Sequence, residues 1–157
     1  MTPMRVREIG RTSDNQRAIV VLEDVEQQVR LAFTTDPHEA HRLAREMGRA
    51  RCTCNPVYDF IELLLGGIQA TVSRIVLDDD GSRGIGAIVC LWLARREEGL
   101  SVRCYPPDAL ALALRAKAPI YATPQALVRA QRLSDRPVLP PAVDFRGWLG
   151  RVNPDDF

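Results

Sequence analysis

The chain of 157 residues lacks a surplus of charge: 21 Lys and Arg stand against 20 Asp and Glu, a formal net charge of +1. That balance supplies no long-range basic field to gather a polyanion, and it excludes a nucleic-acid binder that works by net charge alone. Long apolar runs are missing too. None approaches the roughly 18 residues a membrane span needs, and residues 1–10 hold no charged-then-apolar leader, so a cytoplasmic location with no membrane partner is expected. Cysteine is sparse, with four in the chain. Cys90 and Cys104 fall in apolar strand patterns where a thiol behaves as a small hydrophobe, which points to reduced core cysteines rather than a disulfide framework. Cys52-Thr53-Cys54 is tighter than the roughly two to four intervening residues of a metal knuckle, and no second pair follows it. His38 and His41 sit three apart on an expected helix, a spacing open to a shared ligand face or, more simply, to two polar residues on a solvated one.

What is present is a hydrophobic fraction of 46%, enough at this length for one domain with its own core. Residues 4–9, 17–22 and 27–33 read as three strands, the first two separated by the polar turn Thr12-Ser13-Asp14-Asn15. Asp36-Pro37-His38-Glu39 then offers an N-cap, a proline at the first helical position and a glutamate three after the cap, which predicts a helix to Met47. A second helix is expected over 57–65, ending at Gly66-Gly67. The pattern then recurs: strands over 70–77, 85–94 and 100–104, with the acidic run Asp78-Asp79-Asp80 before Gly81 read as a hairpin turn, and a helix at Pro106. Two β-β-β-α halves are therefore expected, an α+β fold built as a duplicated unit in one curved, barrel-like mixed sheet flanked by helices. Residues 125–131 predict a last short helix. Beyond it, three prolines within 134–141 predict a stiff linker, and Phe145, Trp148, Leu149 and Val152 at i, i+3, i+4 and i+7 predict a docked amphipathic helix. The expected division is a domain over 1–132 and a linker with a docked helix over 133–157.

The most specific stretch is 102–121, V-R-C-Y-P-P-D-A-L-A-L-A-L-R-A-K-A-P-I-Y. A half-buried strand gives way to prolines that fix φ for a first helical turn, Asp108 sits at the positive end of that helix, and Pro119 stops it before a short return strand. This segment resembles the signature of the bifunctional nuclease domain family, small bacterial and plant domains that degrade RNA and DNA, and the ending F-R-G-W-L-G-R-V-N-P-D-D-F is similar to a C-terminal segment of some members. The resemblance implies a curved α+β fold, a nucleic-acid substrate, and phosphodiester hydrolysis assisted by a divalent ion such as Mg or Mn. A homodimer or higher assembly is expected on other grounds, since an open sheet leaves edges and the apolar strand over 85–94 offers one candidate for pairing or packing.

Phosphodiester hydrolysis requires stabilised charge on phosphoryl oxygens and an activated water, commonly from carboxylates on a metal ion or from a general base beside a cation. The family-like candidates are Glu39 in D-P-H-E-A, Asp59 in N-P-V-Y-D-F and Asp108 in Y-P-P-D-A as metal ligands and catalytic groups, with Arg115 as the cation. Helix capping and the macrodipole explain Glu39 and Asp108 more simply than catalysis does, and an arginine near a helix C-terminus is favoured anyway. The chain also departs from the family pattern. Asn55 and Tyr58 stand where members carry Arg and His, and Tyr105 and Pro107 where they carry Arg and Ser. Loss of two cations and an imidazole weakens phosphate binding and proton transfer, so the alternative is a non-catalytic, oligomeric binding or regulatory module on the same fold.

Overall fold

Alternating apolar and polar residues open the chain as an antiparallel meander of β1 (Thr2–Arg11), β2 (Ala18–Asp24) and β3 (Arg30–Thr35). The computed structural model describes residues 1–48 and 55–134. A second antiparallel meander follows, β4 (Ala70–Asp79), β5 (Ile85–Leu93) and β6 (Glu98–Cys104), and β7 (Ile120–Ala122) joins the two. It pairs antiparallel with β1 and parallel with β4, giving one mixed seven-stranded sheet in the order β3-β2-β1-β7-β4-β5-β6. The expected curved mixed sheet is present, open rather than closed, with β3 and β6 at its two ends among the described strands. Bulges at Val6/Glu8 in β1 and Val72/Arg74 in β4 add local twist where each meander begins.

Four helices accompany the sheet, α1 (Pro37–Met47), α2 (Pro56–Gly67), α3 (Pro106–Ala116) and α4 (Pro124–Ser134). Each starts on a proline, whose missing N–H is an orphan in a first turn and whose ring holds the preceding residue extended. Asp36 and Tyr105 thus enter their helices with the same ψ of 141°. The Asp36 side chain caps His38 N, and the Thr123 hydroxyl caps Ala126 N. α2 runs through Gly66-Gly67 to a cap at Ile68, later than its glycines suggested.

Strand and turn chemistry agree with the sequence elsewhere. After Asp79, Gly81 and Gly84 take φ of +62° and +91° around a single 3-10 turn, a conformation that favours glycine at both. The recurring order β-β-β-α is present, but the halves differ: no described strand stands between α1 and α2, whereas β7 separates α3 from α4. The expected boundary at 132 falls inside α4, and the linker and docked helix lie outside the described residues.

Val20, Leu22 and Leu31 from the first meander, Ile75 and Leu77 from the second, and Leu43 and Leu110 from α1 and α3 form one buried core. Helices α1 and α3 pack on each other, and α4 touches β3 on one wing and β4 and β5 on the other, so the sheet curves around it. Cys90 and Cys104 are free thiols, and burial, helped by the Asp108 charge, pushes Cys104 up to about 11. Among the described residues no helix is long and apolar enough to cross a membrane.

Candidate functional site

Because α1 and α3 both begin on proline and lie side by side, their N-termini open onto one groove of ≈ 380 Å³. Its walls carry Asp36 and Glu39 from the start of α1, Tyr105, Pro106 and Pro107 from the start of α3, and Thr34 and Thr35 from the end of β3. Arg17 and Arg83 reach it from the β1–β2 and β4–β5 turns. Two helix dipoles and two guanidiniums favour an anion there, and Tyr105, 71% exposed, offers a ring beside it. The Glu39 carboxylate accepts a hydrogen bond from the Thr35 hydroxyl, which fixes one of its oxygens.

Asp108 starts α3 but is absent from that lining. It accepts a hydrogen bond from the Tyr58 hydroxyl at 2.7 Å and lies 3.7 Å from Arg42 Nη2. Tyr58, fully buried on α2, is therefore the hub that ties α2 to α3. Burial first, then the hydrogen bond to Asp108 and the Asp108 charge, push its phenol up from the ordinary value of 10.0. Arg42 feels burial against its charge, but Tyr58, Asp108 and Glu39 outweigh it and raise its pKa. The arginine thus couples electrostatically to both helix-start carboxylates. Its Nε is buried without a hydrogen bond among the described residues.

Replacing Tyr58 with phenylalanine should cost about 1.5–3 kcal/mol at neutral pH, since the lost bond ends on a charged group. The pH sign follows from the raised phenol. Above about pH 10 unfolded tyrosine releases its proton while folded Tyr58 keeps it, so the phenol's contribution is full below that pH and fades above it. Urea unfolding from pH 8 to 11 should show a steeper loss in wild type than in Tyr58→Phe; parallel curves would count against the Tyr58–Asp108 bond.

Asp59 and Arg115 form a second centre. Arg115, with a side chain 3% exposed, donates to Glu46 at 2.8 Å, Asp59 at 2.6 Å and Glu62 at 3.1 Å. Burial opposes its charge, yet the hydrogen bonds it donates to Glu46 and Asp59 prevail and raise its pKa. Asn55 donates its side-chain amide to the same Glu46 at 3.1 Å. The cation expected to meet phosphate is thus neutralised inside the fold.

The expected site residues are consequently dispersed: Glu39 faces the groove, Asp108 turns to Tyr58 and Arg42, and Asp59 serves Arg115. Among the described residues no three His, Cys, Asp or Glu side chains gather where a metal ion could be held. These donors do not fit a single three-carboxylate Mg or Mn centre. His38 is exposed and His41 half-buried, its pKa lowered by burial and by Arg45 and His38. Cys52 and Cys54 lie outside the described residues.

Sequence reasoning missed Arg17, Arg42, Arg83, Glu46 and Glu62. Helical spacing could have flagged three of them, because Glu39, Arg42 and Glu46 recur at i, i+3 and i+7 on α1 and Asp59 and Glu62 at i and i+3 on α2. A family model for the bifunctional nuclease domain matches residues 20–134, which run from within β2 to the end of α4 and include all four helices but not β1. The curated proteins offer no match to the chain.

Proposed function

The chain belongs to the bifunctional nuclease domain family, and on that premise we propose that it binds RNA and DNA at the helix-start groove and hydrolyses their phosphodiester bonds slowly, with little sequence preference. The convergence of two helix N-termini, Arg17, Arg83 and Tyr105 on one groove carries this reading. The Arg17 and Arg83 guanidiniums hold phosphate oxygens, and the Tyr105 ring stacks on a base of an unpaired strand. Base stacking and phosphate contact read no sequence. Glu39, oriented by Thr35, takes a proton from the attacking water as the P–O bond to the leaving oxygen breaks. No histidine or lysine is among the groove's lining residues to protonate that oxygen, so solvent supplies the proton and turnover is slow.

The second reading, a non-catalytic binding module, is favoured by the engagement of Asp59 and Asp108 with partners inside the fold. Both readings use the groove, and they part at turnover. Binding of a fluorescent single-stranded oligonucleotide should weaken by about 1–3 kcal/mol in Tyr105→Ala. Arg17→Ala and Arg83→Ala should each reduce the salt slope by about one. Unchanged affinity in all three variants would remove the groove from consideration. Cleavage of the same strand separates nuclease from module, and its response to chelator reads whether Mg or Mn enters with the substrate.

A further inference from the structure

Side chains alternate across a strand, and among the described residues helices pack on only one of the two faces of this sheet. Met4, Val20, Ile75, Val89 and Ile120 point to the helix side and belong to the core, whereas Arg5, Arg74, Ile88, Trp92 and Tyr121 point the other way and do not. Met4, Ile120 and Ile75 lie level on β1, β7 and β4, so Arg5 and Arg74, one residue further in the same direction, lie level too, roughly 10 Å apart. Glu23 and Arg30 continue that row onto β2 and β3. Glu23 is buried and already held by Arg5 and Arg7, each at 2.8 Å, while Arg30 and Arg74 are exposed and have no carboxylate partner among the described residues. The row is therefore basic. Tyr121 lies on one side of it and Trp92 on the other, roughly 17 Å apart by strand geometry, with Arg74 between them. Trp92 is 46% exposed and stands between Thr71 and Gly99, so its ring has room for a stacked partner.

We propose that this helix-free face binds a single strand of RNA or DNA, with Trp92 and Tyr121 stacking on bases and Arg5 and Arg74 holding phosphates between them. Rings that flank a row of guanidiniums match the alternation of bases and phosphates along an unpaired strand. A duplex keeps its bases stacked on one another and offers the rings no partner. An acidic protein segment would satisfy the arginines and leave the exposed indole unused. The site rests on the reading that the domain takes nucleic acid, but it shares no residue with the helix-start groove, so each can fail alone.

Trp148→Phe leaves Trp92 as the single tryptophan of the full chain. Its emission should be quenched as an oligothymidylate of about 12 nucleotides saturates the protein, a readout that asks nothing of a destabilised variant. By anisotropy, Trp92→Ala should weaken binding roughly fivefold to 150-fold, the range of one stacked base, and Trp92→Phe should recover most of that loss. Arg74→Ala should lower the salt slope by about 0.7, the share of one phosphate on a single strand. Losses at Trp92 and Arg74 with none in Tyr105→Ala would keep this site and remove the groove. Loss in Tyr105→Ala alone would keep the groove and overturn this site, and no binding of the strand would overturn both. Trp92 emission that stays constant at saturation also overturns the proposal, whether an acidic protein segment, residues 135–157 or nothing at all covers the face.

Discussion

Replacing Arg115 with leucine should destabilise the protein by about 3–5 kcal/mol, the usual cost of stranding one partner of a buried ion pair, and lower Tm by roughly 10 °C for a domain of this size. The stranded group is Glu46, whose side chain is 1% exposed and which also accepts a hydrogen bond from Asn55. Asp59 and Glu62, both partly exposed, regain solvent and add little. Replacing Glu46 with leucine as well should restore much of the loss, since two apolar side chains leave no uncompensated charge. Thermal and urea unfolding of the single and double variants measure this directly. Arg115→Leu with wild-type stability and lost activity would instead return the arginine to the catalytic role that its sequence context suggested.

The fold was legible wherever local chemistry decided it. Prolines at positions 37, 56, 106 and 124 mark four helix starts, and the alternation along each meander marks the strands. Closure was not legible, because it turns on which neighbours β7 selects. Three residues, Ile120 to Ala122, pair with β1 on one side and β4 on the other, and so fuse the meanders at their first strands. That arrangement leaves β3 and β6 at opposite ends of the order, where they cannot meet. No periodicity in a three-residue strand carries that information.

The site was legible in part for the same reason. Glu39 was placed at a helix start by its cap and proline, and the packing of α1 against α3 turned two local signals into one groove. Tyr58 looked like a lost imidazole in the sequence, but its hydroxyl links α2 to Asp108. Asp59 and Arg115 are 56 positions apart, and only tertiary packing pairs them. Arg17 and Arg83 lie in turns, where side-chain direction depends on the backbone conformation of the loop rather than on any repeat. Long-range pairing is thus what separates Asp59 and Asp108, engaged with partners inside the fold, from Glu39 on the groove wall.

Glu39→Gln should lower hydrolysis of single-stranded RNA and DNA by about 10²–10⁴-fold if Glu39 is the base that takes the proton from water. The amide keeps an oxygen for the Thr35 hydroxyl and loses only the charge at the helix start, so stability should fall by about 0.3–1 kcal/mol. Affinity for the strand should hold or rise, because a negative charge has left a phosphate groove. Asp108→Asn retains an acceptor for Tyr58 and lies outside the groove, so its effect on kcat should be far smaller than that of Glu39→Gln. Asp59→Asn, on the Arg115 side, should also leave kcat near wild type. A continuous assay with a quenched oligonucleotide, run with and without chelator, separates these outcomes. Full turnover in Glu39→Gln would sink the general-base assignment. Equal losses at Glu39, Asp59 and Asp108, together with loss on chelation, would instead mean that the three carboxylates act on one divalent ion after a rearrangement that frees Asp59 from Arg115 and Asp108 from Tyr58.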